Sequence, residues 1–189
     1  MMTSDAIYKE RVQTYGWEDI SKLWIAITSG NTPGWAAGKA FEFLILRAFE
    51  LSGAEVCWPY SVNFRTAANI EQIDGLVYVD ELAVLIESKA YSEKTGEKKN
   101  IHFEPIAKMR SQLSRRPANM IGCIFSSGDY TEAAQILINF TKPETILSWN
   151  GSEVAYCILK RNLTEFLRIK YRRCLQYGTH DFDVTSGSA

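Results

Sequence analysis

Apolar and polar positions divide the chain into periodic segments. Residues 4–15 carry a helical pattern, and Trp17-Glu18-Asp19-Ile20 opens a second helix with Ile20, Leu23, Trp24 and Ile27 at helical spacing. That helix stops at Ser29-Gly30-Asn31-Thr32-Pro33-Gly34, a dense turn signal. A strong helix is predicted over 35–52, with Gly53 as its stop. A strand over 54–60 and an irregular link over 63–69 come next. Two β-branched, apolar runs, 72–79 and 82–89, are joined by the polar pair Asp80-Glu81 and predict a β-hairpin. Downstream, a helix over 104–116 turns Ile106, Met109 and Leu113 inward, with Arg110, Gln112, Arg115 and Arg116 as its polar complement and Pro117 at its end. A buried strand over 120–125, a helix over 131–140, a short strand over 145–149 and one or two helices over 152–177 complete the pattern. The tail after Gly178 is predicted to be mobile. From the third helix on, the order α-β-β-β-α-β-α-β-α predicts an α/β (α+β) three-layer sandwich, a mixed sheet flanked by helices. There is no repeat and no linker between large domains. The expected organisation is a helical extension over 1–32, a core over 33–150 and a basic helical segment with its tail over 151–189. The extension is expected to pack on the core or mediate association, without carrying chemistry.

Counting outward from a turn at Asp80-Glu81 places Val79 opposite Leu82, Val77 opposite Val84, Asp74 opposite Glu87 and Gln72 opposite Lys89. Alternation then turns Gln72, Asp74, Glu87 and Lys89 to one face. Opposed side chains on paired strands lie about 4.5–5.5 Å apart at Cβ, and like charges there destabilise the pair. A divalent cation of the Mg²⁺ type, which takes oxygen ligands, would relieve two facing carboxylates. The alternative is an exposed hairpin with solvated charges, but Leu82-Ala83-Val84-Leu85-Ile86 is too apolar for a solvated face. A one-residue slip in register would separate the two acids. Glu42 stands in the third helix among Gly38, Ile45, Leu46 and Phe49. A carboxylate in that stripe needs a partner or a metal, unless it borders the apolar face and reaches water.

Composition adds limits. The chain has 189 residues, enough for one domain with a sizeable core, and its 46% hydrophobic and 12% aromatic content describe a globular protein. No segment is apolar enough to span a bilayer, and Met1-Met2-Thr3-Ser4-Asp5 does not begin a signal peptide. Cys57, Cys123, Cys157 and Cys174 form no CxxC, and His102 and His180 are the only histidines. Free thiols in a reducing cytoplasm are therefore expected, without structural zinc or disulfides. The net charge of −1 hides an asymmetry: residues 87–120 hold eight Lys/Arg against four Asp/Glu, and residues 157–178 hold six against one. Such clusters are either the footprint of a polyanion or the solvated faces of two helices. Adjacency to Lys89 favours the polyanion for the first cluster. The polar run 92–100 beside it is either a solvated loop or a contact to a phosphate backbone. No Gly-rich phosphate loop, GxSxG or Cys-His pair points to another hydrolase.

Glu42 on the helix before the first core strand, then Ile73-Asp74-Gly75, then Glu87-Ser88-Lys89 resembles the signature of the PD-(D/E)xK restriction-endonuclease-like nucleases. Gln72-Ile73-Asp74-Gly75, the helix Met109-Arg110-Ser111-Gln112-Leu113-Ser114-Arg115-Arg116-Pro117, Ile121-Gly122 and Ile146-Leu147-Ser148-Trp149 extend the resemblance to a bacterial restriction-endonuclease-like group. Ile73 stands where the signature has Pro.

The resemblance implies a Mg²⁺-dependent endodeoxyribonuclease, with Mn²⁺ as a substitute, acting in restriction, defence or repair. Asp74 and Glu87 would hold the metal, with Glu42 and the backbone carbonyl of Ser88 as further ligands. Lys89 would orient or deprotonate the attacking water, and Gln112 with Arg110 would position water or phosphate. Arg110, Arg115, Arg116 and Lys108 would contact the nucleic-acid backbone. DNA is the expected partner, with RNA left open, and a homodimer is expected if both strands of a duplex are cut. The competing expectation keeps the fold without the reaction, as a catalytically inactive nucleic-acid-binding or protein-interaction module.

Overall fold

The structure is a computed structural model. It describes the backbone of residues 4–58, 60–64, 67–91, 100–140 and 142–186, and the side chains of 5–58, 73–91, 100–140 and 142–186. The chain begins with helices α1 (Ser4–Gln13), α2 (Trp17–Thr28) and α3 (Lys39–Leu51), followed by strands β1 (Glu55–Cys57), β2 (Tyr60–Phe64), β3 (Ala67–Ile73), β4 (Gly75–Val79) and β5 (Leu82–Lys89). Then come α4 (Glu104–Leu113), β6 (Met120–Ser126), α5 (Glu132–Phe140), β7 (Ile146–Trp149), α6 (Gly151–Lys160), α7 (Leu163–Tyr177) and a 3₁₀ turn, Val184–Ser186.

Five strands form a mixed sheet in the order β1-β4-β5-β6-β7. The β1–β4 and β4–β5 pairs are antiparallel, and the β5–β6 and β6–β7 pairs are parallel. Alternation along the strands builds a core on each face. Val77, Val84, Ile86, Cys123, Phe125 and Trp149 pack with α3, α6 and α7, while Leu76, Leu85, Ile124 and Ile146 pack with α4 and α5. The result is the expected three-layer sandwich of helices, mixed sheet and helices. Val12 of α1 and Ile20 of α2 are fully buried in the first of these cores.

The hairpin register is the one counted from the sequence, with Val79↔Leu82, Val77↔Val84 and Gly75↔Ile86 paired. Asp80 takes a left-handed conformation, φ 54°, which Asp tolerates better than most residues. The Arg168 guanidinium donates to both its oxygens, Nε to Oδ2 at 2.8 Å and Nη2 to Oδ1 at 3.0 Å. This bidentate pair holds the turn against α7 without the customary glycine.

Five expectations need correction. The link over 63–69 is not irregular, because β2 and β3 form a second antiparallel hairpin. Gln72 belongs to that hairpin, where it pairs with Ser61, and does not face Lys89. The chain bends at Asp74, so the run over 72–79 is divided: its first residues end β3 and β4 starts at Gly75. The third helix starts at Lys39 and not at 35, since Gly34 and Gly38 are left-handed (φ 75° and 80°) and turn the chain just before it. The tail after Gly178 is tied down over its described residues. His180 is buried with Nδ1 3.0 Å from the Ile146 carbonyl, and Val184 N–H donates to Glu153 Oε1 at 3.1 Å. The polar loop 92–99 lies outside the described residues. The thiols are free, with Cys123, Cys157 and Cys174 buried and Cys57 half-buried.

Candidate functional site

Two glycines let helices close on the end of the sheet where the acids lie. A Cβ on Gly75 would meet Leu46 Cδ2 at 2.4 Å, so its absence admits α3, the helix that carries Glu42. A Cβ on Gly122 would meet Met109 Cγ at 2.6 Å, so its absence admits α4, which carries Lys108 and Gln112. The β4–β5 ladder ends at Gly75↔Ile86. One residue beyond it, Asp74 takes over with its side chain, accepting the Ser88 N–H on Oδ2 at 2.6 Å.

Glu87 follows Leu85 by two residues and shares its face, the one covered by α4. Its side chain is 1% exposed. Oε1 lies 2.6 Å from Lys89 Nζ, and Oε2 accepts from Lys108 Nζ at 2.7 Å. Glu42, whose side chain is 12% exposed, has both oxygens against Lys39 Nζ, at 3.0 and 2.9 Å. The Lys39 ammonium also reaches Asp5 Oδ1 of α1 at 3.2 Å.

These groups act on one another electrostatically. Burial raises Asp74 most, the charges of Glu87 and Glu42 raise it further, and the Ser88 N–H and Lys89 only partly offset this, so its carboxyl is pushed up to about 8. Glu42 is also raised, first by burial and then by Asp5 and Glu87, against the pull of Lys39. Lys39 and Lys89 stay above the usual ammonium value although burial opposes their charge, because their carboxylate partners outweigh it. The four carboxyls Asp5, Glu42, Asp74 and Glu87 face the three ammoniums Lys39, Lys89 and Lys108. With Asp74 protonated, the set is neutral.

The structure therefore brings Glu42, Asp74, Glu87 and Lys89 into mutual range, with Ser88 tied to Asp74 through its backbone. Gln112 is not part of the polar face of α4. It is 2% exposed, with a buried Oε1 that has no partner among the described residues. One helical turn separates it from Lys108, so the two share a side of the helix. The arginines spread elsewhere. Arg110 Nε lies 3.5 Å from Glu144, Arg115 donates to Ser111 Oγ at 2.8 Å, and Arg116 donates to the Gln112 carbonyl at 2.5 Å. The N-terminal extension reaches this cluster, since Asp5 of α1 meets the acids through Lys39. The i, i+3 spacing of Lys39 and Glu42 could have revealed that lysine; nothing in the sequence brings Asp5 beside it.

Among the described residues, no group of three or more His, Cys, Asp or Glu side chains is placed to hold a metal ion. The carboxylates that would form one are turned to lysines. Their chemistry nevertheless suits a hard cation, being all oxygen and in electrostatic conflict, with Glu87 Oε1 buried and without a well-formed hydrogen bond. Asp74 and Glu87 are the side chains that would take such an ion, with Glu42 beside them.

No helix among the described residues is long and apolar enough to cross a membrane. No protein-family profile and no curated protein matches the chain. Among solved structures, it is similar to the MspJI restriction endonuclease in a complex with a 27-mer oligonucleotide, at 17% sequence identity and a TM-score of 0.44. The match covers 96% of this chain and 38% of that one, so the chain spans well under half of its length, a distant and partial likeness to a restriction-endonuclease-like nuclease.

Proposed function

We propose that this chain is a nucleic-acid-binding module on a nuclease-like scaffold, and that a divalent cation equips it to hydrolyse the phosphodiester backbone of DNA. The observation that carries the catalytic half is the burial of Asp74 beside Glu87 and Glu42, which together push its carboxyl up to about 8. A site without cationic ligand or substrate has no evident reason to gather three acids at the end of an apolar strand. Mg²⁺ held by Asp74 and Glu87 would neutralise phosphate charge and lower the pKa of a water.

The side chains around that position have definite tasks. Lys89, 39% exposed at the side chain, can leave Glu87 and turn its ammonium to the attacking water or the developing negative charge. Glu42 adds negative potential behind Asp74, tempered by Lys39, which Asp5 holds beside it. Gln112 offers an amide donor and an acceptor to water or phosphate. Arg110, Arg115 and Arg116 continue along and beyond α4, where they can neutralise neighbouring phosphates without reading bases. Two such sites, hence a dimer, would serve a duplex cut on both strands. Supercoiled plasmid incubated with the pure protein and Mg²⁺ is expected to be nicked, with at least a hundredfold loss in Lys89→Ala and Asp74→Ala, on the scale of lost acid–base or electrostatic groups. Equal nicking by these variants would remove the proposal of catalysis.

A specific observation favours a second reading, binding without cleavage. Both oxygens of Glu87 and both of Glu42 already face ammoniums, so the acids are balanced inside the protein. As described, the arrangement stands nearer to this reading. It expects DNA retention in a mobility-shift assay together with a Mn²⁺ titration that Asp74→Ala leaves unchanged.

A further inference from the structure

Neither reading explains why Lys108, expected to contact a nucleic-acid backbone, instead lies against Glu87. From α4 it places an ammonium 2.7 Å from Glu87 Oε2, although Lys89 already stands 2.6 Å from Oε1. Two ammoniums on one carboxylate repel each other, and of the neighbouring acids Asp74 is held largely protonated, so it does little to offset that cost. The second ammonium is not needed to dock the helix: Met109 and Leu113 fill the notch left by Gly122, and Ile106 is 1% exposed. Nor is Lys108 buried. Its side chain is 45% exposed, whereas Glu87 beneath it is 1% exposed. Leaving the carboxylate thus returns the ammonium to water at little cost, but it strips a buried acid of one counter-charge, which another cation must replace.

We infer that Lys108 is an internal latch, an ammonium that occupies a divalent-cation position on Glu87 and must be displaced before metal binds. This deepens the catalytic half of the proposed function and rests on it. A metal on Glu87 repels the ammonium, which swings outward on its four-carbon stem and becomes available to a phosphate oxygen. One side chain thereby exchanges a carboxylate for the substrate backbone, coupling metal entry to nucleic-acid affinity. Lys39 differs because Asp5 holds it from the other side and keeps it at the site.

Mn²⁺ alone, without nucleic acid, tests this by calorimetry on the full chain. Lys108→Met and Lys108→Gln are expected to bind Mn²⁺ up to about fivefold more tightly than wild type, the scale of one charge pair at a half-exposed site. Lys22→Met, the same loss of charge on α2, is expected to leave the affinity unchanged. In the wild type, acetylation of Lys108 mapped by mass spectrometry is expected to be slow without Mn²⁺ and several-fold faster with it. Binding that the Lys108 variants leave unchanged or weaken, or acetylation that ignores Mn²⁺, overturns the latch while leaving the metal site standing. Absence of Mn²⁺ binding in wild type and all variants overturns the metal site and the latch together.

Discussion

Asp74 shows at the scale of one residue how a site can be built against stability. Its folded carboxyl titrates at about 8 and its unfolded one at 3.8, so between those values the folded state holds more protons than the unfolded state. Stability therefore falls as pH rises through that window. Asp74→Asn removes the charge but keeps an oxygen that can accept the Ser88 N–H. The variant is expected to melt at a higher temperature than wild type at pH 8, to lose that advantage towards pH 4, and to lose any metal-dependent cleavage. Melting curves at the two pH values measure it; a variant less stable than wild type at pH 8 would contradict the assigned cause. The proximity of Glu87 and Lys89 was legible at this scale because residues two apart on a strand share a face, whereas Asp74 lies at the bend beyond the ladder and meets β5 through the Ser88 N–H. Lys108 was read as a backbone contact because helical periodicity shows which side of α4 a residue takes, not what lies across from it.

At the scale of elements, the site depends on how closely α3 and α4 approach the sheet. Gly122→Ala places a methyl into Met109, and overpacking of this kind costs about 1–3 kcal/mol. Urea unfolding is expected to show that loss, and the Glu87–Lys108 contact is expected to loosen with it. Gly75→Ala drives Leu46 away in the same manner. Combining it with Leu46→Ala is expected to cost less than the two changes summed, because the shortened side chain admits the methyl. The hairpin register could be counted from the pattern because Val77, Val84 and Ile86 must all reach the core on the α3 side. Strands β2 and β3 escaped notice because Asn63 and Asn69 lie in them, residues of low strand propensity, and their pairing with each other was decisive.

The whole molecule is closed by a charge pair far along the chain. Lys170 of α7 is fully buried, 2.5 Å from Glu153 Oε1 of α6, and its ammonium stands 4.4 Å from the centre of the Trp149 ring. Glu153 also accepts the backbone N–H groups of Val184 and Asn150, so one carboxylate joins β7, both helices and the C-terminal segment. Burial raises Glu153 and lowers Lys170, and their mutual attraction opposes both shifts. Lys170→Met is expected to cost about 3–5 kcal/mol by stranding the acid, and Lys170→Met with Glu153→Gln is expected to recover much of it. Denaturant unfolding of the three variants measures the difference. The basic composition of 157–178 pointed to a charged surface, but Lys170 belongs to the interior.

Periodicity by itself determined the order of the main elements, the mixed sheet between helices and the hairpin register from Val79↔Leu82 to Gly75↔Ile86. All are local consequences of the 3.6- and 2-residue repeats meeting an apolar core. Only the tertiary structure decided which cations meet the acids Glu42 and Glu87, that Gln72 pairs in another hairpin, and that residues 179–186 pack down. The helix-borne cations come from separate elements, Lys39 with its anchor Asp5 and Lys108 on α4, and their meeting depends on how closely each helix packs. Such through-space charge pairs leave no periodic trace along the chain.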